Sequence, residues 1–206
     1  MIDLAPLLDQ LELAFGPADP VPSADGWELV LAENIGYLVD DLRRWQAVER
    51  LRNEVGLNPD QILTAPDSVL ADIMVGSQRS PERLRRCAEL AIAGAHWRAF
   101  PGIGRPGVDR INLFTRASVV LALDANALRV LARLGYCEPS QSYAASYRQA
   151  QYLASASIPA TVPARQRASQ LLRRHGQTLC RRKNPACADC AIAPSCPSAG
   201  QAAPLY

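Results

Sequence analysis

The chain has 206 residues, 49% of them apolar and 20% charged, and a formal net charge of +2. That length can bury a core in one large or two small domains, and no apolar run approaches the ~20 residues that cross a bilayer. The N-terminal stretch MIDLAPLLDQLELAFG is acidic and lacks the basic leader of an export signal. The six cysteines are therefore expected in a reducing, cytoplasmic setting, where metal binding prevails over disulfides.

In chain order, the apolar spacing predicts helices almost throughout. Residues 2–15 form the first, followed by the loop GPADPVPSADG. An apolar helix, WELVLAENIGYLV, covers 27–39, and an amphipathic one covers 41–55. Asn58-Pro59 and Ala65-Pro66 open two more, because proline is at home in the first turn. Ser80-Pro81 opens a longer helix to about residue 95. Only SVVLALD at 118–124 has strand character, and it is short. No repeat of solenoid period is present. The expected fold class is all-α.

The small net charge hides a polarised chain. The first sixty residues carry twelve Asp or Glu against four Arg. From Thr161 to Ala186 there are Arg165, Arg167, Arg173, Arg174, Arg181, Arg182 and Lys183, and no acid. Such asymmetry points to a bound polyanion, most simply nucleic acid, with a solvated arginine-rich helix as the plainer alternative.

Three local motifs carry chemistry. Phe100-Pro101-Gly102-Ile103-Gly104 places two glycines between helices, a turn whose backbone can approach a phosphate closely; alone it equally describes a helix–helix turn. Leu123-Asp124-Ala125-Asn126 precedes ALRVLARLGY, so Asp124 reads as the N-cap of a helix ending near Leu134, with Gly135 as its stop. The positive end of a helix dipole keeps such a carboxylate ionised. Finally, Cys180, Cys187, Cys190 and Cys196 stand as C-x6-C-x2-C-x5-C within seventeen residues. Four thiolates so close select a soft metal: zinc, copper(I) or an iron–sulfur cluster. Cys87 and Cys137 fall outside this set and are expected as buried apolar thiols.

Together the hairpin PGIG, then LDAN-x-x-RVLAR, then the cysteine loop resemble the helix-hairpin-helix DNA glycosylases with an iron–sulfur cluster, the superfamily of endonuclease III, over roughly residues 25–200. Asn126 puts the chain nearer the MutY-type and mismatch thymine/uracil branch than endonuclease III itself, which carries VDTH there. The resemblance implies a two-lobed all-α fold. A six-helix barrel with the hairpin would span 24–118, and a discontinuous cluster lobe 1–23 and 119–206, with Asp124 facing the cleft. It implies a [4Fe–4S] cluster on the four cysteines, a largely monomeric protein, and double-stranded DNA as partner. DNA would be held by Gly102, Ile103, Gly104 and Arg105 of the hairpin and by Arg181, Arg182 and Lys183 of the cysteine loop.

The segment WELVLAENIGYLVDD is similar to the one beginning FELLIA in endonuclease III, and this places Glu33 where MutY-type enzymes hold a catalytic glutamate. By helical spacing Glu33 shares a face with Leu29, Val30, Gly36 and Tyr37. A carboxyl on that apolar stripe would have its pKa raised by desolvation, as a general acid needs; a buried structural glutamate is the alternative. Tyr37 and Leu38 replace the glutamines usual in the family, so Gln78 and Arg79 become the candidates for filling the gap left by a flipped base.

Bifunctional members carry a lysine two residues after the second hairpin glycine. Here that residue is Pro106, and the only lysine in the chain is Lys183. A lysine Schiff base is thereby excluded on composition. The expected activity is a monofunctional one: base flipping, Glu33 as acid, Asp124 as anion for the oxocarbenium-like sugar, and Asn126 orienting Asp124, after the two-carboxylate logic of glycosidases. Ten residues follow Cys196, so no MutY-type C-terminal domain is expected, and mismatched uracil or thymine is favoured as the target. A silent damage-binding relative and an iron–sulfur electron-transfer or assembly protein are the alternatives.

Overall fold

The computed structural model describes residues 2–18, 20, 23–37, 39–76, 80–138 and 142–201. The chain divides into two compact units, one of residues 21–115 and one of residues 1–20 and 116–206.

Among the described residues the first unit holds the α-helices α2 (Gly26–Ile35), α3 (Asp41–Glu54), α4 (Pro59–Thr64), α5 (Asp67–Ile73), α6 (Pro81–Ile92) and α7 (Arg105–Phe114), with a 3₁₀ turn at Trp97–Ala99. At its centre is α2, packed against α3, α6 and α7. The Asp25 side chain caps it through Trp27 N at 2.7 Å, and Leu29, Val30, Leu31, Ala32 and Ile35 are buried. A side chain at Gly26 would collide with the Trp97 ring, 2.6 Å from its Cβ position, so glycine lets the helix start against that indole. The apolar stripes of the amphipathic helices close the core with Val48, Leu51, Ile62, Leu70, Ile73 and Leu84.

The helix expected over 27–39 stops at Ile35. Gly36 and Tyr37 turn extended instead and pair in parallel with Val75 and Gly76. A Cβ at Gly36 would stand 2.8 Å from Val39, and the carbonyl there accepts from Arg44 Nε at 3.4 Å. Residue 37 therefore lies in the extended pair and not in α2. At Asn58 the predicted start is realised as a capping box, with the Gln61 side chain returning to the Asn58 amide at 3.2 Å.

The second unit contains α1 (Leu4–Phe15), α8 (Ala125–Arg133), α9 (Tyr143–Ala156), α10 (Val162–Thr178) and the cysteine loop beyond it, whose only helical pieces are two three-residue 3₁₀ turns at Cys187–Asp189 and Ala193–Ser195. Here α8 is central, packing on α10 and α9, with every residue from Ala127 to Arg133 buried. Leu4, Leu7, Leu8 and Leu11 bury one stripe of α1 beside α10. Gly135, at φ 84°, ends α8: Tyr136 N donates to Leu131 O at 2.9 Å and Gly135 N to Ala132 O at 3.0 Å, the paired closure of a left-handed C-terminus. The run 118–124 is not a strand. Among the described residues no helix is long and apolar enough to cross a membrane.

Candidate functional site

Asp124 caps α8 as its position before an apolar helix predicts. Its Oδ1 accepts from Ala127 N at 2.7 Å. Its Oδ2 accepts from Asn126 Nδ2 at 3.1 Å and from Arg173 Nη1 of α10 at 2.5 Å. The carboxylate is 21% exposed and the Arg173 side chain 14%. Asn126 thus orients Asp124, but Arg173, 49 positions away, is a partner that no local motif announces.

From Asn126 the hydrogen bonding continues toward the cysteine loop. Arg129 Nη2 donates to Asn126 Oδ1 at 2.9 Å and to Gly176 O at 2.7 Å, and Arg129 Nε donates to Cys180 O at 2.9 Å. Burial pushes the Arg129 pKa down, the expected cost of a desolvated guanidinium that three carbonyl oxygens offset. Gly176 makes the approach possible, since a Cβ there would lie 2.7 Å from Asn126 O. Asp124, Asn126, Arg129 and Cys180 therefore form one continuous relay.

One helical turn on, Arg133 binds the loop itself. Its Nη1 donates to Cys180 Sγ at 3.1 Å and to Arg181 O at 2.9 Å, and its Nη2 to Arg182 O at 3.4 Å. Cys180, Cys187, Cys190 and Cys196 line a single cavity with Val130, Leu134, His175 and Ile192. Burial pushes the Cys190 and Cys196 thiols up, and the neighbouring cysteines add to it. His175 Nε2 is 3.7 Å from Cys190 Sγ; burial, then the charge of Arg133, takes this imidazole down to about 4, so it stands neutral. Four sulfurs with N–H donors and apolar walls fit a soft-metal group. Among the described residues no group of three or more His, Cys, Asp or Glu side chains is arranged around one metal ion. Cys87 and Cys137 are buried, and burial pushes Cys87 up to about 12.

In the six-helix unit the hairpin is a turn over Phe100, with Ile103 N donating to Phe100 O at 3.1 Å and Gly102 at φ 72°. Gly102 is thereby in the left-handed region that favours glycine, and it lies against the Arg83 guanidinium, whose Nε donates to Asn34 Oδ1 at 2.8 Å. Ile103, expected as a DNA contact, is 4% exposed with its amide already used; it plugs the core. Gly104 precedes α7, which has no side-chain cap and carries Pro106 in its first turn. Arg105 is exposed, 3.8 Å from Asp109.

Glu33 lies in surroundings other than those expected. Its carboxylate is 31% exposed and faces two guanidiniums, Arg110 at 3.6 Å and Arg44 at 3.8 Å. Arg44 is 7% exposed overall and also bonds Asp41 at 3.2 Å. The apolar, desolvating stripe is replaced by an ion-pair setting, because α2 turns out of helix at Gly36 and brings the start of α3 alongside. The Tyr37 side chain, and Gln78 and Arg79, lie outside the described residues.

The basic tract is also largely spent within the chain. Arg165 is buried and donates to Ser155 O at 2.9 Å. Arg167 pairs with Asp9 and Glu12 of α1 at 2.7 and 2.5 Å, and Arg174 lies over the Phe15 ring at 5.4 Å. Arg181, Arg182 and Lys183 remain exposed.

No protein-family model and no curated protein matches the chain. Solved structures do. Endonuclease III trapped as a covalent intermediate with DNA superposes with a TM-score of 0.75 at 19% identity, covering 97% of this chain and 98% of that one. The fold is that of endonuclease III. A non-covalent endonuclease III–DNA complex gives a TM-score of 0.71 at 18% identity over 95% and 94% of the two chains. A thermostable thymine-DNA glycosylase gives 0.67 at 16% identity over 93% and 94%.

Proposed function

We propose that the chain is a DNA glycosylase of base excision repair without lysine-dependent strand cleavage, acting on a damaged or mismatched base in duplex DNA. The observation that carries this is the Asp124–Asn126–Arg129–Cys180 relay, which ties a helix-capping carboxylate to a four-cysteine loop in a fold it shares with DNA glycosylases. The four cysteines would hold a [4Fe–4S] cluster, which when bound would cross-link the loop. Arg181, Arg182 and Lys183, exposed on the cysteine loop, would take phosphates.

In the proposed reaction the C1′–N bond of a flipped nucleotide breaks, and its electron pair leaves with the base, which takes up a proton. The departing base takes its proton from water; Asp124 stabilises the cationic sugar, and water then adds at C1′ and releases its proton to the solvent. Pro106 has no amine to offer, and Lys183 lies in the cysteine loop. Uracil or thymine in mismatches is the favoured target, and an intracellular, DNA-containing compartment the place of action.

The test is a panel of labelled duplexes, each with one lesion or mismatch, incubated with and without later alkali. Cleavage only after alkali supports the proposal; strand scission without alkali contradicts it. A second reading, a relative that binds damage without releasing base, is favoured by the Arg173 guanidinium on Asp124. It predicts specific binding with no base loss across the panel.

A further inference from the structure

The Asp124–Arg173 contact carries an inference beyond a plain glycosylase site. Both oxygens of Asp124 are engaged: Oδ1 by the Ala127 amide, Oδ2 by the Asn126 amide group and by Arg173 Nη1 at 2.5 Å. The first two donors are neutral and orient the group. Of the groups hydrogen-bonded to Asp124, Arg173 brings a full charge, and Arg129 adds a second positive charge at longer range through Asn126. The two sides of the Asp124–Arg173 contact are only 14% and 21% exposed, where water screens less than in bulk. An anion serves a cationic sugar by its net charge, and here that charge is largely cancelled before any substrate arrives.

We propose that Arg173 is a brake on Asp124: a counter-ion that limits how much negative charge the site presents to a developing sugar cation, and so restricts release to bases that depart with little help. The inference rests on the glycosylase reading and deepens it by assigning Arg173 a rate- and specificity-setting role at the same site. Arg173 acts through Asp124, and is therefore a positioning residue rather than a catalytic one. Its place is not dictated by folding alone: α8 and α10 are already joined by Arg129 to Gly176 and by the close approach at Gly176.

Two duplexes test this without knowledge of the lesion. One carries a neutral tetrahydrofuran abasic site, the other a cationic pyrrolidine at the same position. The wild type is expected to bind the two nearly alike. Arg173→Met, and independently Arg173→Gln, which keeps a hydrogen bond without the charge, should bind the cationic duplex roughly ten- to hundredfold more tightly than the neutral one, the span of a charge-assisted hydrogen bond. Adding Asp124→Asn to either variant should erase that preference. A purely structural Arg173 would weaken both duplexes together, and that result overturns the brake. So does a strong cation preference in the wild type that the Arg173 variants leave unchanged. If the wild type binds neither abasic duplex better than an undamaged one, the glycosylase reading itself falls, and the inference with it.

Discussion

Two short helices sit at the centres of the two units, and they are buried by different means. Both are capped by an aspartate, Asp25 for α2 and Asp124 for α8. Around α2 the core neighbours Leu31, Ile35, Val48 and Leu51 are apolar, and polar contacts, Arg83 on Asn34 and Arg44 on Gly36 O, hold its C-terminal end. α8 buries Arg129 and Arg133 along with its leucines, and these guanidiniums reach the carbonyls of a loop with almost no regular structure. Of that loop only Ile192 is fully buried. The difference teaches that the six-helix unit is stabilised by its own side chains, whereas the cysteine loop depends on polar contacts and on whatever binds its four sulfurs.

The largest expected effect follows from the cysteines. Cys190→Ser should abolish the visible absorbance of a bound cluster and release the loop. Hydrogen exchange should rise over residues 179–200 and in the facing turns of α8 and α10, with the six-helix unit unchanged, since metal binding there is folding free energy. An equal rise in both units would break the comparison. Leu51→Ala is the mirror experiment. Leu51 is 0% exposed, so the cost should be about 2–5 kcal/mol by denaturant unfolding, with protection lost around α3 while the cysteine loop keeps its cluster. Arg133→Met comes next. It keeps the apolar stem but leaves the carbonyls of Arg181 and Arg182 without this donor, at about 1–3 kcal/mol, read as faster loss of cluster absorbance in a chelator. An effect of similar size is expected of Gly176→Ala. Its methyl group would push on Asn126 at 2.7–2.8 Å and force α8 and α10 apart, at about 1–3 kcal/mol. Base release should fall more than melting temperature, because Asn126 aims Asp124.

What could be read from residue order divides along the same line. Asp124 as a cap, Gly135 as a stop and the prolines at helix starts are decided within four residues, and each stands where local rules put it. Partners set by tertiary packing were not legible. The basic tract reads as a polyanion surface, yet Arg165, Arg167, Arg173 and Arg174 find partners on α9, α1, the α8 cap and Phe15. Glu33 was misjudged for the same reason: helical spacing shows its face but not the arginines that α3 and α7 bring to it. The i,i+4 pair Arg129 and Arg133 on an otherwise apolar helix was the one available signal that α8 has a polar burden to satisfy.

The central claim is that Asp124 is the anion of a base-releasing site, and one comparison tests it most directly. Single-turnover base release, on the best substrate of the lesion panel, is measured for the wild type and for Asp124→Asn alongside duplex affinity. The account predicts that release falls by at least roughly a hundredfold while affinity for the same duplex is kept. Release that survives Asp124→Asn with affinity intact would contradict it, and would reduce Asp124 to the helix cap that its backbone geometry already describes.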